Sequence, residues 1–465
     1  MRDAEHRLAE SLARLSIDSV YMLLHRGWAD EPRSNRWHFA TRWARHLPVV
    51  LVCPEPDWPR SYRERRIANC RILKVTPHEG PIWGGPPELH TGQILADMRR
   101  NGALRPLLWI YNPNLAEAFA TLPAVARVHH VTENYFDFSG LPHEFMDRLK
   151  FIAGIADLVV TVSDGCARPL EPIIDPLRLM VATNGCDFDA YGAEGPHDPE
   201  VHALRKGFSR LAVFAGNINW RLDFDLIARV ADVSPEVLLL FVGKAPPNDA
   251  DGEKFKLLLQ RPNVRYWSPV DPDRLPAIYR SADIGVIPYV RHRLIVDNGF
   301  PLKALEMAAT GLPVVSTLMQ PLLQHAPPLV VARDEREFLE SFSRLRREPG
   351  LAERLRAVAA ANDYDGRFAT IADRLASLPR REGARLDVLA AAYPHETARA
   401  FQKLLFTERR PFYGLIAVLL KALRKIAAHT IIPMILYILD LLPRPARQYV
   451  RRMKRCLFGG PKVAQ

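Results

Sequence analysis

Short apolar runs alternate with helix-like patterns twice along this chain, and that doubled alternation leaves few folds open. The first series predicts strands at Val20–His25, Val49–Cys53, Arg71–Val75, Leu107–Tyr111, Val128–Val131, Leu158–Val162 and Leu179–Ala182. Helical patterns fall between them, for example Arg36–Arg45 and His90–Arg100. The second series predicts strands at Val213–Ala215, Val237–Val242, Val264–Trp267, Ile284–Pro288, Val314–Ser316 and Val330–Ala332, with helices dominating after Arg333. Between the two lies AYGAEGPHDPE, within 187–208, whose Gly, Pro and acidic residues read as a linker. Stacked βαβ units of this kind predict two doubly wound α/β domains, 1–190 and 209–378, facing a cleft. A chain of 465 residues exceeds one core, and 48% hydrophobic content supports full globularity.

Within that frame, Asp283 to Thr317 (DIGVIPYVRHRLIVDNGFPLKALEMAATGLPVVST) carries the most chemistry. A strand runs into a polar loop of about ten residues, and a helix then opens near Pro301. A helix start at the carboxyl edge of an α/β sheet aims free N–H groups at an anion. Lys303 adds a cation, and Glu306, one turn on, adds a carboxylate able to hold two adjacent hydroxyls. Phosphate beside a diol describes a nucleotide. The fingerprint G-x-G-x-x-G is absent, which argues against a nicotinamide or flavin enzyme. Both domains instead open with a strand and a long polar loop, MLLHRGWADEPRSNRW in the first and VFAGNINWRLDFD in the second.

Charge is distributed unevenly. Twelve of the 63 Lys and Arg and one of the 52 Asp and Glu lie in 409–465, so the whole net charge of +11 sits there. A nucleic-acid enzyme spreads basic charge over its folded domains, and no nucleic-acid partner is expected. The same tail holds PFYGLIAVLLKALRKIAAHTIIPMILYILDLLP, from Pro411 to Pro443. Its best span, Ile426 to Leu442, reaches only about 25 Å as a helix against a hydrocarbon core of roughly 30 Å. An in-plane or re-entrant anchor on anionic lipid fits better than a span, after a helical connection over 379–408. A pair of amphipathic helices on the protein's own core is the alternative. The five cysteines show neither a C-x-x-C pair nor metal spacing, and no secretory signal opens the chain. A cytoplasmic protein, peripheral on the inner face of the membrane, is expected.

Five stretches carry a family resemblance: TNGCDFDAY (Thr183–Tyr191), FAGNINWRLDFDLI (Phe214–Ile227), FVGKAP (Phe241–Pro246), NVRYWSPVDPDRLPAIYRSADIGVIPY (Asn263–Tyr289) and PLKALEMAATGLPVV (Pro301–Val315). They resemble glycosyltransferases of the GT-B fold, in the family-4-like, group 1 branch used in bacterial exopolysaccharide and teichuronic acid assembly. NRWHFATRWARHLPVVLVCPE and VTENYFDFSG look like its acceptor-side and carboxylate-bearing loops. The resemblance implies transfer of a sugar from a nucleotide diphosphate to a hydroxyl, without a required metal or cofactor. A UDP-linked donor is favoured, and a lipid-linked glycan is the expected acceptor. Many such proteins carry E-G-F-x5-E; here Asn298 replaces the first glutamate and Glu306 keeps the second. An amide still hydrogen-bonds a hydroxyl but has no charge, so neither an inverting nor a retaining outcome follows.

On this reading the donor side comprises Gly216, Asn217, Arg221, Lys244, Tyr289, Asn298, Gly299, Phe300, Pro301, Leu302, Lys303 and Glu306. Lys303, Arg221 and the backbone at Phe300–Leu302 would stabilise the leaving diphosphate. Each has a plain structural alternative, and for Arg221 that is a salt bridge to Asp223 or Asp225. On the acceptor side, Glu133 and Asp137 are the expected proton acceptors, with Asp30 a rival. His130 reads as a packed strand residue. Asn35 and Arg36 are expected to meet the acceptor. Two other classes stay open, an epimerase of the same fold and a catalytically silent scaffold in a polysaccharide assembly complex.

Overall fold

A computed structural model describes residues 2–25, 28, 31–54, 67–75, 90–380, 382, 383 and 385. The first sheet contains β1 (Ser19–Leu23), β2 (Val49–Pro54), β3 (Cys70–Val75), β4 (Pro106–Ile110), β5 (Ala126–Val131), β6 (Leu158–Thr161) and β7 (Leu179–Val181). Its order is β3-β2-β1-β4-β5-β6-β7, parallel throughout. The second contains β8 (Arg210–Ala215), β9 (Val237–Val242), β10 (Val264–Trp267), β11 (Ile284–Ile287), β12 (Val314–Thr317) and β13 (Val330–Ala332). Its order is β10-β9-β8-β11-β12-β13, also parallel. Helices cover both faces, so the central strands are buried on both sides and read as continuous apolar runs. Every predicted strand is present, with ends shifted by at most three residues.

Two boundaries differ from expectation. The acidic, Gly- and Pro-rich stretch is not a free linker. Tyr191 and Val201 are buried in the second lobe's core, and Asp198 caps the Pro199–Leu204 helix while pairing with Arg274 at 2.6 Å. Composition signalled exposure there, but two well-placed apolar side chains were enough to dock it. Nor does the second lobe run to 378. The Tyr364–Ser377 helix crosses back and lays Tyr364, Phe368, Ile371 and Leu375 into the first lobe's core beside Trp43. It packs along the N-terminal helix Arg2–Leu15, where Asp373 accepts from Ser11 and Arg14, each at 3.1 Å.

The chain therefore crosses between lobes twice, and the crossings are stitched together. Cys186 N–H donates to the Asn362 carbonyl at 3.2 Å, and Tyr364 N–H donates to the Cys186 carbonyl at 3.0 Å. Gly185 permits the approach, because a Cβ there would lie 2.6 Å from the Asn362 oxygen. These bonds hold the two sheets in one body and set the cleft that separates their carboxyl edges.

Of the predicted connection over 379–408, residues 379, 380, 382, 383 and 385 are described and are not helical. Arg385 straps onto the first lobe, its N–H bonding the Ala120 carbonyl at 2.7 Å and its guanidinium Asp157 at 3.1 Å. The remainder and the whole basic tail, 409–465, lie outside the described residues. Among the described residues no helix is long and apolar enough to cross a membrane.

Candidate functional site

In an open doubly wound sheet the ligand crevice opens where strand order reverses, at the carboxyl ends. In the second lobe that point lies between β8 and β11. β8 is followed by Gly216, whose φ of +142° suits glycine alone. β9 is followed by Gly243 at φ +147°, and a Cβ on Gly243 would collide with the Gly216 carbonyl. The two glycines let the strand ends close up and leave the crevice floor without side chains.

The Lys303 ammonium fills the space above that floor. A Cβ on Gly216 would come within 2.6 Å of its Nζ. Lys303 donates to the Tyr289 hydroxyl at 2.9 Å and lies 4.2 Å from the Phe214 ring centroid, where the ring's negative face stabilises it. It sits in the first turn of the Leu302–Ala309 helix, whose initial N–H groups have no acceptor within the helix. Cation, helix start and glycine floor thus converge at the second lobe's switch point.

Glu306 lies one turn further on. Burial pushes its carboxyl up to about 7; Lys303 opposes the shift, Asp187 adds to it, and the Tyr191 hydroxyl and Arg33 oppose it. A carboxyl poised near neutrality can accept from a diol or donate to it.

The rest of the loop divides into lining and scaffold. Gly299 packs against the Ile295 carbonyl, 2.6 Å from where its Cβ would be. Phe300 is a buried wedge, edge-on to His325, and its carbonyl accepts from Asn184 at 2.9 Å. Pro301 caps the helix, and Leu302 packs against the first lobe's core. Asn217 and Lys244 are exposed at the strand ends, the Lys244 carbonyl holding Ile218 N–H at 2.9 Å.

Arg221 departs from its structural alternative. Asp223 caps the Phe224–Val233 helix instead of pairing with it. Two main-chain bonds, Asp223 N–H to Pro288 at 2.9 Å and Val290 N–H to Arg221 at 2.8 Å, fix the loop against the end of β11. The Arg221 guanidinium then reaches across the cleft and binds Glu133 Oε1 at 3.2 Å, stacked over Trp220. Partial desolvation between the lobes raises the Glu133 carboxyl above the usual carboxylate range, although 44% of its side chain meets solvent, and Arg221 pulls it back down.

Asp137 also faces the second lobe but is fully engaged. It accepts from Asn134 at 2.8 Å and Asn298 at 3.4 Å and lies 3.7 Å from Arg293. Asn298 is buried at this contact and also accepts from Asn134 at 3.3 Å. The departure from the glutamate pattern gains a physical account here: a carboxylate at 298 would be forced against Asp137. Asn298 joins the lobes and is not placed as a sugar ligand.

The acceptor-side assignments of Asn35 and Arg36 are corrected. Asn35 is buried, donating to Asn184 at 2.9 Å and accepting from the Tyr111 hydroxyl at 3.0 Å. Arg36 is buried in an ion pair with Glu31. Both open the Asn35–Ala44 helix, whose face turned to the core takes them out of solvent. Asp30 lies outside the described residues. His129 and His130 are buried and pushed down to about 3, which makes them packing residues, with His130 stacked 5.1 Å from Tyr111.

Sequence reasoning missed three residues around Glu306: Asp187, Tyr191 and Arg33. Arg33 has φ +56°, lies over Trp37 and pairs with Asp273 of the second lobe at 2.6 Å. Its charge in the first polar loop was visible, but nothing local said that it would cross the cleft. Among the described residues no group of three or more His, Cys, Asp or Glu is placed to hold a metal ion.

Two facing Rossmann-like lobes and a crossing C-terminal helix define the GT-B fold, shared with solved structures of low identity. Sucrose-phosphate synthase from Thermosynechococcus elongatus aligns over 76% of this chain and 97% of its own, at 15% identity and TM-score 0.58. Anabaena HepE, solved in complex with UDP and glucose, aligns over 78% and 100%, at 15% identity and TM-score 0.55. Residues 209–348, within the second lobe, match the family Glycosyl transferases group 1. The Bacillus subtilis (strain 168) protein TuaH, named as a teichuronic acid biosynthesis glycosyltransferase, is 32% identical over 165 residues, 35% of this chain and 40% of that protein. The chain spans between 32% and 57% of the length of the curated relatives it matches.

Proposed function

We propose that the protein is a glycosyltransferase that moves a sugar from a nucleoside diphosphate, UDP in preference to GDP, to a glycan carried on a membrane lipid. One observation carries this: the Lys303 ammonium stands at the β8–β11 switch point, on a helix start, with Glu306 one turn away. In this reading the diphosphate lies over Gly216 against Lys303 and the helix N–H groups, which stabilise the charge that grows as the glycosidic bond breaks. Arg221 supplies a planar fork for the same anion. Glu306 holds the ribose diol. Glu133, the less constrained of the two acceptor-lobe carboxylates, takes the acceptor's proton.

The UDP preference draws support from the ligand named in the HepE structure, and the polysaccharide setting from the name of the Bacillus relative. The membrane acceptor is inferred from the tail, where all the excess positive charge lies next to the most apolar stretch. A transferase whose acceptor resides in a bilayer gains local concentration and orientation from such an anchor.

Titration calorimetry with UDP and GDP tests the donor site. Lys303→Ala is expected to weaken nucleotide binding by about tenfold or more, the value of one charge-assisted contact. Wild-type affinity in that variant removes the site assignment. Conversion of a UDP-sugar without any acceptor would point to the epimerase, and no nucleotide binding at all to the scaffold. For the anchor, a chain lacking 409–465 should stop sedimenting with phosphatidylserine vesicles and keep its UDP affinity. Continued sedimentation ends the membrane reading.

A further inference from the structure

Arg221 and Glu133 form an ion pair although the reading above gives them separate duties, one on the donor diphosphate and one on the acceptor. We propose that Glu133 occupies the diphosphate's place on Arg221 while the donor is absent, and that an arriving nucleoside diphosphate displaces it. The displaced carboxylate then faces the acceptor. The inference rests on the nucleotide-sugar reading of the cleft.

Geometry favours an exchange over a permanent strut. Arg221 is held at the rim by the Val290 N–H on its carbonyl, by the neighbouring Asp223 N–H bond to Pro288 and by the Trp220 ring, so the fork stays where the anion arrives. The Arg221 and Glu133 side chains are 37% and 44% exposed, so solutes reach the pair and screening keeps it weak. A diphosphate brings more charge and more acceptor oxygens than one carboxylate, and wins the fork.

Asp137, four residues on, shows the contrast. Asn134 and Asn298 donate to it and Arg293 lies close, so it acts as a fixed link between the lobes. Among the described residues Glu133 has Arg221 as its one side-chain hydrogen-bond partner, and it moves when that partner is taken. Loss of the guanidinium also removes what holds the Glu133 proton affinity down, leaving a stronger base. The pair therefore orders the reaction: the carboxylate turns free and basic only once the donor is seated.

The test is nucleotide affinity of the full-length protein, by calorimetry with UDP, GDP and ADP. Glu133→Gln and Glu133→Ala should each tighten binding of the nucleotide that the wild type prefers by about two- to fivefold, the range set by a part-exposed ion pair. In an Arg221→Ala background the same substitutions should change nothing. Unchanged or weaker binding in both Glu133 variants overturns the exchange while leaving the donor site intact. An equal gain with and without Arg221 also overturns it, because that gain would come only from removing a negative charge. If the wild type binds none of the three nucleotides, the donor reading fails and the exchange falls with it.

Discussion

The two lobes share one strand order over six strands, with a seventh added in the first, and treat the crevice in opposite ways. In the first, the residues after β1 and β4, Leu24, Tyr111 and Asn112, are buried, and the Asn112 side chain donates to the Leu24 carbonyl at 3.1 Å. That bond closes the switch point. Tyr111, Trp109, His130 and Phe39 pack ring against ring behind it. In the second lobe, Gly216 and Tyr289 are half-buried after β8 and β11, Asn217 is exposed, and a lysine ammonium stands over glycine. A polar residue at a strand end therefore has no fixed meaning. In the first lobe it seals and braces; in the second it stays available to a ligand.

This contrast is most exposed to failure at Arg36. If the first lobe's charged residues brace it, Arg36→Ala leaves the buried Glu31 carboxylate without its counter-ion, held only by the Ser34 N–H at 2.8 Å, and should cost about 3–5 kcal/mol in denaturant unfolding. UDP affinity of the folded protein should stay within about twofold of wild type. A small stability loss with a large affinity loss would put Arg36 back at the ligand and erase the difference between the lobes.

A smaller effect should come from Glu306 on the open side. Its folded-state carboxyl is raised to about 7 from an ordinary 4.5, so the folded protein favours the protonated form. The stability this contributes is full below about pH 4.5 and is lost as pH rises to 7 and beyond. The shift is worth up to about 3 kcal/mol, less what solvent screening removes. Glu306→Gln cannot lose it, so the variant's Tm should gain on wild type between pH 4.5 and 7 and hold a constant lead above that. A gap independent of pH would mean that Glu306 is solvated and that the second crevice is less enclosed than its geometry indicates.

Much of the second lobe's crevice was legible because its determinants are local. Strand, loop, Pro301, Lys303 and Glu306 fall within a few dozen residues, and helix spacing alone sets Lys303 and Glu306 one turn apart. The first lobe's facing residues were not legible in this way. Asn35 is fixed by Asn184, 149 residues away, and Asp137 by Asn298, 161 away. Asn298 illustrates both cases, since its departure from the family pattern was plain in the sequence and its cause was not. The domain boundary at 378 failed for a related reason: the spacing of Tyr364, Phe368, Ile371 and Leu375 announces an amphipathic helix but cannot say which lobe receives it.

By itself, the sequence determined thirteen parallel strands in two series, a helix start with a lysine at the second switch point, and a tail holding all the net charge. Those properties follow from periodicity and composition, which a chain carries wherever it folds. Tertiary structure alone decided that the last helix returns to the first lobe, that Asn35 and Arg36 are braces, and that Arg221 meets Glu133 across the cleft. Each of these depends on desolvation and on a partner distant along the chain, and neither is written in the local order of residues.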